Sequence, residues 1–150
     1  MSNYHLAQMN IAIMKESLES PSMAGFVNNL ERINALADAS SGFIWRLQTE
    51  DGDATSVRAM GDDTLINISV WNDVESLNAY VYESVHVEIM RRRKEWFERM
   101  RDAYVVLWWI PKDHRPTTAE AIDKLALLRK NGPSEDAFTP NKTFLPPDAT

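Results

Sequence analysis

Residues Thr64 to Trp71 read TLINISVW, and side chains of different character alternate along this stretch. Ile66, Ile68 and Val70 fall on one side of it, while Asn67 and Ser69 fall on the other. Side chains of a β-strand point alternately to the two faces of a sheet. The stretch therefore predicts a strand with one apolar face and one mixed face. The segments on both sides of it decide the fold.

Three further strands and two helices are predicted around this one. Pro111 ends a continuous apolar run that is typical of a strand buried on both faces. A Ser20-Pro21 pair caps a helix that is predicted to reach Ala37. Asn72 or Asp73 caps a second helical segment that runs to Met100, with a break near Ser84 and Val85. The other predicted strands cover Tyr4 to Ile13, Phe43 to Thr49 and Ala103 to Ile110.

The resulting order is strand, helix, strand, strand, helix, strand, which is the split βαβ pattern of a ferredoxin-like α+β sandwich. Thr117 and Glu120 form a capping box for one more helix, and the prolines of residues 134–150 predict an extended surface tail. We expect a single domain over 1–150, with a core over 1–115 and the added helix and tail over 116–150. Phe43, Trp45 and Leu47 leave one sheet face apolar, which predicts a second subunit as its cover.

Composition excludes several classes of function. The net charge of −6 disfavours nucleic acid as a partner. The absence of cysteine excludes disulfides, thiolate nucleophiles and zinc-cysteine sites. The longest apolar run, Val105 to Ile110, is far shorter than a membrane span of ~20 residues, and the N-terminus lacks a signal-peptide pattern. We expect a cytoplasmic protein with no membrane or nucleic-acid partner, and no metal-binding motif is present.

Two polar residues interrupt the apolar stripe of the second helix. At 100° per residue, His86 and Arg93 fall among Val85, Ile89 and Trp96. A guanidinium that points inward needs a carboxylate, a carbonyl or a bound anion. The pattern predicts either a pocket or a buried polar network, and a hydrogen-bonded core histidine is the simpler alternative for His86.

Polar and aromatic residues elsewhere supply the walls that such a pocket needs. Polar side chains at strand positions include Gln8, Asn10, Gln48 and Ser69. A pocket lined by aromatic rings with a few convergent polar groups is the usual small-molecule site. Core packing is the alternative for the tryptophans. The candidate substrate-binding residues are Asn34, Trp45, Arg46, Asn67 and Trp108.

Several stretches also resemble a bacterial family known only as a domain of unknown function. They are LAQMNIA, SGFIWRLQ with the DGDATS loop, ISVWNDVESLNAYVYESVHVEIMRRRKEWFERM and VVLWWIPKDHRPTTAEA. That family is similar to the antibiotic-biosynthesis-monooxygenase-like group of dimeric α/β barrels. The resemblance implies a homodimer with a cavity between sheet and helices for a small hydrophobic or aromatic molecule. In haem-binding relatives a helix histidine can be the axial ligand, and His86 matches that setting.

These observations lead to two hypotheses of function. The first is a monooxygenase-like enzyme without an organic cofactor, in which His86 acts as base or proton relay and Arg93 holds an anion. The second is a non-catalytic module that binds a small ligand or haem. A structural dimer whose inward polar residues satisfy one another is a third possibility.

Overall fold

The computed structural model describes residues 2–50 and 52–149, without the side chains of Ser84 and Val85. A single 3₁₀ turn at Pro21–Met23 precedes the first helix. In chain order the elements are β1 (Tyr4–Ile13), α1 (Ala24–Ala39), β2 (Phe43–Arg46), β3 (Thr64–Trp71), α2 (Val74–Val81), α3 (Ser84–Arg91), α4 (Arg93–Trp96), β4 (Val105–Pro111) and α5 (Thr118–Asn131).

The four strands form one antiparallel sheet in the order β2-β3-β1-β4. Together with the order of the helices, this confirms the ferredoxin-like split βαβ sandwich with an added C-terminal helix. The predicted bounds of β1 and β3 are confirmed, whereas β2 ends at Arg46 instead of Thr49. Asp73 caps α2 by accepting a hydrogen bond from the Ser76 amide, as the sequence predicted for this position.

The sheet face that we call the α5-facing side is mostly apolar. Nine of its strand side chains are at most 3% exposed: Ala7, Met9, Ile11, Ile66, Ile68, Val70, Val106, Trp108 and Ile110. Ala121, Leu125 and Leu128 of α5 cover it, together with Leu47, Val57 and Met60 from the β2–β3 region. The expectation that a second subunit covers this face is therefore wrong, because the chain covers the face itself. The homodimer stays a prediction.

The opposite face, the helix-facing side, carries two separate apolar clusters. Leu6, Trp71 and Leu107 pack against Ala37 and Leu77 at one end of the sheet. At the other end Leu65 packs with Met14, Met23, Trp96 and Phe97. The strand residues between the two clusters are polar.

A bulge in β2 separates two aromatic residues that the sequence placed on one face. Phe43 pairs with Trp71 and Trp45 pairs with Val70, and the register shifts between them. Phe43 therefore faces the helices, whereas Trp45 faces α5. Strict alternation does not survive a bulge, which is why the predicted single apolar face of β2 is wrong.

The second helical segment is divided more often than the sequence predicted. The expected break before Ser84 is present, and a second one lies at Arg92, between α3 and α4. The helical segment ends at Trp96, four residues short of the predicted end at Met100, and the backbone is extended at Phe97. A helical projection carried through Arg92 therefore no longer fixes where Arg93 points, although Trp96 is buried as the stripe predicted.

The C-terminal tail is more than a surface strap. Phe138 forms paired backbone hydrogen bonds of 2.8 Å with Leu107 at the free edge of β4. Ala137 and Phe138 are completely buried, and the Phe144 carbonyl accepts a hydrogen bond from Trp109 Nε1. The prediction of a surface tail is wrong for these two residues, since their side chains complete the core.

Candidate functional site

Four neutral polar side chains form a continuous hydrogen-bonded patch at the centre of the helix-facing side. We call Gln8, Asn10, Asn67 and Ser69 the polar ladder. Antiparallel pairing places Gln8 opposite Ser69 and Asn10 opposite Asn67, so all four point to the same face. Gln8 Nε2 donates to Asn67 Oδ1 at 2.6 Å and to Ser69 Oγ at 2.7 Å. Asn10 Nδ2 donates to Gln8 Oε1 at 3.1 Å and to Asn67 Oδ1 at 3.2 Å.

The ladder is covered unevenly, and the uneven cover marks an opening. Gln8 and Ser69 are buried, with 5% and 6% of their surfaces exposed, and Leu65 is 9% exposed. Asn67 lies between Leu65 and Ser69 on the same face of an inner strand, and yet its side chain is exposed. An exposed residue between buried neighbours requires a local gap in the cover. We call this gap above Asn67 the helix-facing cleft.

The ladder keeps unused hydrogen-bonding capacity at this gap. Asn67 Oδ1 accepts two bonds, while its Nδ2 donates none within residues 2–50 and 52–149. Asn10 Oδ1 likewise has no partner in the described chain. Ser69 Oγ accepts from Gln8 and from Trp71 Nε1, so its own hydroxyl proton is left to donate. Both donors and an acceptor are therefore available to a bound molecule.

Three rings continue from the ladder toward α3. Trp71 Nε1 donates to Ser69 Oγ at 2.8 Å, and the Trp71 ring stacks on Tyr80 with centroids 5.0 Å apart. The Tyr80 ring meets His86 at 4.9 Å with an angle of 60° between the planes. The Tyr80 hydroxyl donates to the Ile33 carbonyl of α1 at 3.4 Å, and burial raises its pKa to about 12. Tyr80 thus contacts both Trp71 and His86.

The histidine at the end of this row is held in one tautomer. His86 Nδ1 lies 3.1 Å from the Val81 carbonyl, and a carbonyl only accepts, so Nδ1 carries the proton. Nε2 then holds the lone pair. Burial lowers the pKa of His86 below its ordinary value, and the bond to Val81 opposes this only in part. The half-buried imidazole is therefore a neutral proton acceptor near pH 7.

Arg46 lies on the same face, but its guanidinium is occupied. Its Nε donates to Asp38 Oδ1 at 2.8 Å, and its other nitrogens donate to Asp38 Oδ2 and to the Gly52 carbonyl. Arg46 is paired with Ser69 across β2 and β3. Since these contacts use the guanidinium internally, they give Arg46 a structural role beside the ladder and leave the ladder itself without a net charge next to it.

The structure pairs the Arg93 guanidinium with an aromatic ring. The Arg93 guanidinium lies over the Tyr104 ring, 4.6 Å from its centroid. No hydrogen bond, ion pair or ring contact joins Arg93 to His86 among the described residues. The expected shared cavity depended on one unbroken helix, and the break at Arg92 removes that basis. The anion-holding role of Arg93 stays a prediction.

Two predicted pocket residues lie on the other side of the sheet from Asn67. Trp108 pairs with Ala7 and Trp45 pairs with Val70, so both side chains belong to the α5-facing side. Trp108 is 1% exposed, and its Nε1 donates to Glu120 Oε2 at 2.9 Å. The prediction that they line a pocket with Asn67 is wrong, because the sheet separates them. Asn34 is half-buried on α1, and no hydrogen bond of its side chain is found in the described chain.

Sequence analysis did not identify Tyr80, the aromatic residue that connects Trp71 with His86. Tyr80 lies on the buried side of the short helix α2, and only the tertiary contact with Trp71 and His86 distinguishes it from the exposed Tyr82. Gln8, Asn10 and Ser69 were visible as polar residues at strand positions, but their mutual bonding depends on the strand register.

Within the described residues no group of three or more His, Asp and Glu is placed to hold a metal ion. No helix in that part of the chain is long and apolar enough to cross a membrane.

Comparison with known families identifies the chain. The model of the domain of unknown function DUF3291 matches residues 5–150. The chain belongs to this family. The resemblance inferred from the sequence is thereby confirmed. No curated protein matches the chain.

Some solved structures are also similar to this chain. A protein of unknown function from Nitrosomonas europaea superposes with a TM-score of 0.50 at 14% identity, over 77% of this chain and 95% of that one. SnoaB, a cofactor-independent oxygenase from Streptomyces nogalater, gives 0.47 at 14% identity, over 78% and 98%. A dabb family protein with a ferredoxin-like fold from Mesorhizobium loti gives 0.43 at 14%, over 75% and 98%. At 14% identity the likeness to the Nitrosomonas europaea protein concerns the fold alone. The oxygenase reaction is that of SnoaB.

Proposed function

We propose that this DUF3291 protein binds a small, largely apolar molecule in the helix-facing cleft. The observation that carries the proposal is the exposed Asn67 amide, which lies beside the buried residues Leu65, Ser69 and Gln8 on the same sheet face. A polar network that served stability alone would use its hydrogen-bonding groups internally, since unused buried groups cost free energy. This ladder instead keeps free donors and an acceptor at the point where the cover is open.

The chemistry of the cleft favours an uncharged ligand with oxygen substituents. Amide and hydroxyl groups form the whole ladder, and the nearest ion pair, Arg46 with Asp38, is closed on itself. Burying an isolated charge beside such groups is costly, whereas a carbonyl or hydroxyl replaces its water contacts with Asn67 Nδ2 and Asn10 Oδ1. The apolar clusters on both sides of the ladder suit an aromatic or alkyl body.

We further propose that the activity is monooxygenase-like, with His86 as the base. A catalytic base needs a free lone pair and a pKa near or below the working pH. His86 Nε2 has that lone pair, and burial keeps the ring neutral. The row Tyr80, Trp71 and Ser69 links this base to the ladder that would hold the substrate oxygen. A substrate that extends from the ladder along the Trp71 and Tyr80 rings would bring a hydroxyl or an acidic C–H group to His86 Nε2, and loss of that proton would prepare the substrate for reaction with dioxygen.

One observation favours a binding module without turnover as the second candidate. His86 makes a side-chain contact with an aromatic ring and with a carbonyl, and no carboxylate orients it in the described chain. Its Nε2 would equally serve as an axial ligand to haem iron, because a neutral imidazole nitrogen is the usual donor. Such a protein would retain a ligand or show a haem spectrum without consuming oxygen.

Native mass spectrometry of protein isolated from its own host tests the binding proposal. We expect a retained small molecule that disappears in Asn67→Leu, since leucine fills the gap and removes the amide. Asn28→Leu, on the exposed face of α1, is the matched control and should keep the bound mass. An unchanged bound mass in Asn67→Leu would refute the cleft as the binding site.

Oxygen consumption with the recovered compound tests the finer proposal. We expect His86→Ala to lower kcat by about 10²-fold or more, the usual contribution of a general base. Equal rates in wild type and His86→Ala would exclude the base. A Soret band that depends on His86, with no oxygen uptake, would establish the binding module instead.

A further inference from the structure

The hydrogen bonds of the polar ladder fix which group of the Asn10 side chain is left for a ligand. A carboxamide nitrogen carries two protons. Asn10 Nδ2 gives one of them to Gln8 Oε1 at 3.1 Å and the other to Asn67 Oδ1 at 3.2 Å. Both donors of Asn10 are therefore used inside the protein, and its carbonyl oxygen, Oδ1, is the group that remains.

The Asn67 side chain is fixed in the opposite sense. Its Oδ1 accepts from Gln8 Nε2 at 2.6 Å and from Asn10 Nδ2 at 3.2 Å, so both lone pairs are used and the Nδ2 protons remain. Reversal of one amide alone would set like groups of neighbouring amides against each other. Reversal of all three amides would exchange the roles of Asn10 and Asn67, and would still leave one acceptor beside one donor.

The remaining acceptor and donor lie side by side at the opening. Asn10 and Asn67 are directly opposite each other on β1 and β3, and a hydrogen bond joins their amides. Gln8 and Ser69 are buried, whereas Asn67 is exposed and Asn10 is half-buried. A molecule that enters the helix-facing cleft therefore meets the amide pair of Asn10 and Asn67, which offers one acceptor and one donor.

We propose, resting on the function proposed for the helix-facing cleft, that its ligand carries a lactam, a neutral cyclic amide. The lactam carbonyl would accept from Asn67 Nδ2, and the lactam N–H would donate to Asn10 Oδ1. The ring holds this N–H and this carbonyl on the same side, so both face the amide pair together. An isolated carbonyl would leave Asn10 Oδ1 without a partner, which costs free energy. A carboxylic acid offers the same two groups only when protonated, and it is ionised near pH 7.

An NMR titration with two isosteric compounds, 2-quinolone and coumarin, tests this proposal on the intact protein. Coumarin has the bicyclic shape and the carbonyl of 2-quinolone, but a ring oxygen replaces the N–H. That oxygen would face Asn10 Oδ1, so two acceptors would meet. We expect 2-quinolone to shift the side-chain NH₂ signals of Asn67 and Asn10 saturably, and coumarin to bind more weakly by at least about tenfold.

Matched variants assign the preference to Asn10. Asn10→Leu should weaken the binding of 2-quinolone by about tenfold and change the binding of coumarin little, so that the two affinities become similar. Asn28→Leu, on the exposed face of α1, should keep the wild-type preference. The proposal is overturned by the absence of a saturable shift with 2-quinolone, by equal affinities for the two compounds in wild type, or by an unchanged preference in Asn10→Leu.

The retained mass in native mass spectrometry separates this proposal from that of the cleft itself. Equal binding of 2-quinolone and coumarin that Asn67→Leu abolishes would overturn the lactam preference and leave the cleft as the binding site. No shift with either compound, together with an unchanged retained mass in Asn67→Leu, would overturn both proposals.

Discussion

The two faces of the sheet differ in the polarity and the exposure of their strand side chains. On the α5-facing side, nine strand side chains are apolar and at most 3% exposed. On the helix-facing side, four neutral polar residues form the middle of the face, and one of them is exposed although apolar clusters flank it on both sides. The same strands contribute to both faces, so strand propensity does not explain the difference.

The comparison separates stability from function within one sheet. Side chains that are buried and apolar contribute free energy by leaving water. Polar side chains under an incomplete cover contribute little to stability but can recognise a ligand. Neighbouring residues of one strand, such as Asn67 and Ile68, should therefore respond to substitution in opposite ways.

The largest expected effect comes from the α5-facing side. Ile68 is completely buried, and Ile68→Ala should lower the free energy of unfolding by about 2–5 kcal/mol, through lost burial and a cavity. Asn67→Ala, one residue earlier, should lower it by about 1 kcal/mol or less while abolishing ligand retention. Urea denaturation of both variants measures the difference. Equal losses of unfolding free energy would show that Asn67 stabilises the fold as much as Ile68 does, and would contradict the proposed difference between the two faces.

Gln8 should give an intermediate effect because it is the buried centre of the ladder. Its amide bonds Asn67, Ser69 and Asn10, so Gln8→Leu leaves these groups without partners. We expect a loss of about 1–3 kcal/mol in the free energy of unfolding. Asn10→Ala, at the half-buried rim, serves as the control and should cost less. A larger loss in Asn10→Ala than in Gln8→Leu would contradict the bonding described here.

The pH dependence of stability tests both faces through their buried histidines. Burial lowers the pKa of His5, on the α5-facing side, and of His86, on the helix-facing side. Below pH 6.5 the unfolded chain then binds more protons than the folded chain. The free energy of unfolding therefore has its highest value above pH 6.5 with respect to these histidines, and it decreases as the pH falls below 6.5. Urea midpoints at pH 7.5 and 5.5 measure the fall.

His5 should account for part of this fall. Its Nδ1 is buried without a partner among the described residues, and Lys112 and Arg115 disfavour its protonation further. His5→Leu should therefore flatten the pH dependence between 7.5 and 5.5. A wild-type protein that is as stable at pH 5.5 as at 7.5 would contradict the burial of both imidazoles.

Tyr80 should give the smallest but most local effect. It contacts His86 on one side and Trp71 on the other, so Tyr80→Leu opens the histidine to water. We expect the pKa of His86, followed by NMR titration of its ring nitrogens, to rise toward its ordinary value. Tyr82→Leu is the matched control, because Tyr82 is 77% exposed and two residues away. An equal shift in both variants would remove Tyr80 from the site.

The fold could be predicted from the sequence because its information is local. Alternation along TLINISVW and YHLAQMNIAI, the Ser20-Pro21 start and the Asp73 cap each act over a few residues. The cover of the α5-facing side could not be predicted, since it depends on where α5 and the β2–β3 loop dock. The site was found in part: Asn67 was identified from its strand position, whereas its bonding to Gln8 and Asn10 depends on the register between β1 and β3.

The errors at the site also have physical causes. The shared cavity of His86 and Arg93 was predicted from one continuous helix, and the break at Arg92 removes that basis, so the shared cavity stays a prediction. Trp45 was misplaced because a bulge breaks the alternation of β2. Neither event has a sequence signal such as proline or glycine at that position, because tertiary packing determines both.

The most direct test of the cleft is the access of solvent to the amide side chains of the ladder. A soluble paramagnetic agent broadens the side-chain NH₂ signals of exposed amides and spares buried ones. The account predicts that the Asn67 signals broaden about as strongly as those of surface asparagines such as Asn28, while the Gln8 signals remain sharp. If the Asn67 signals are as protected as those of Gln8, the helix-facing side is closed and the proposed binding site does not exist.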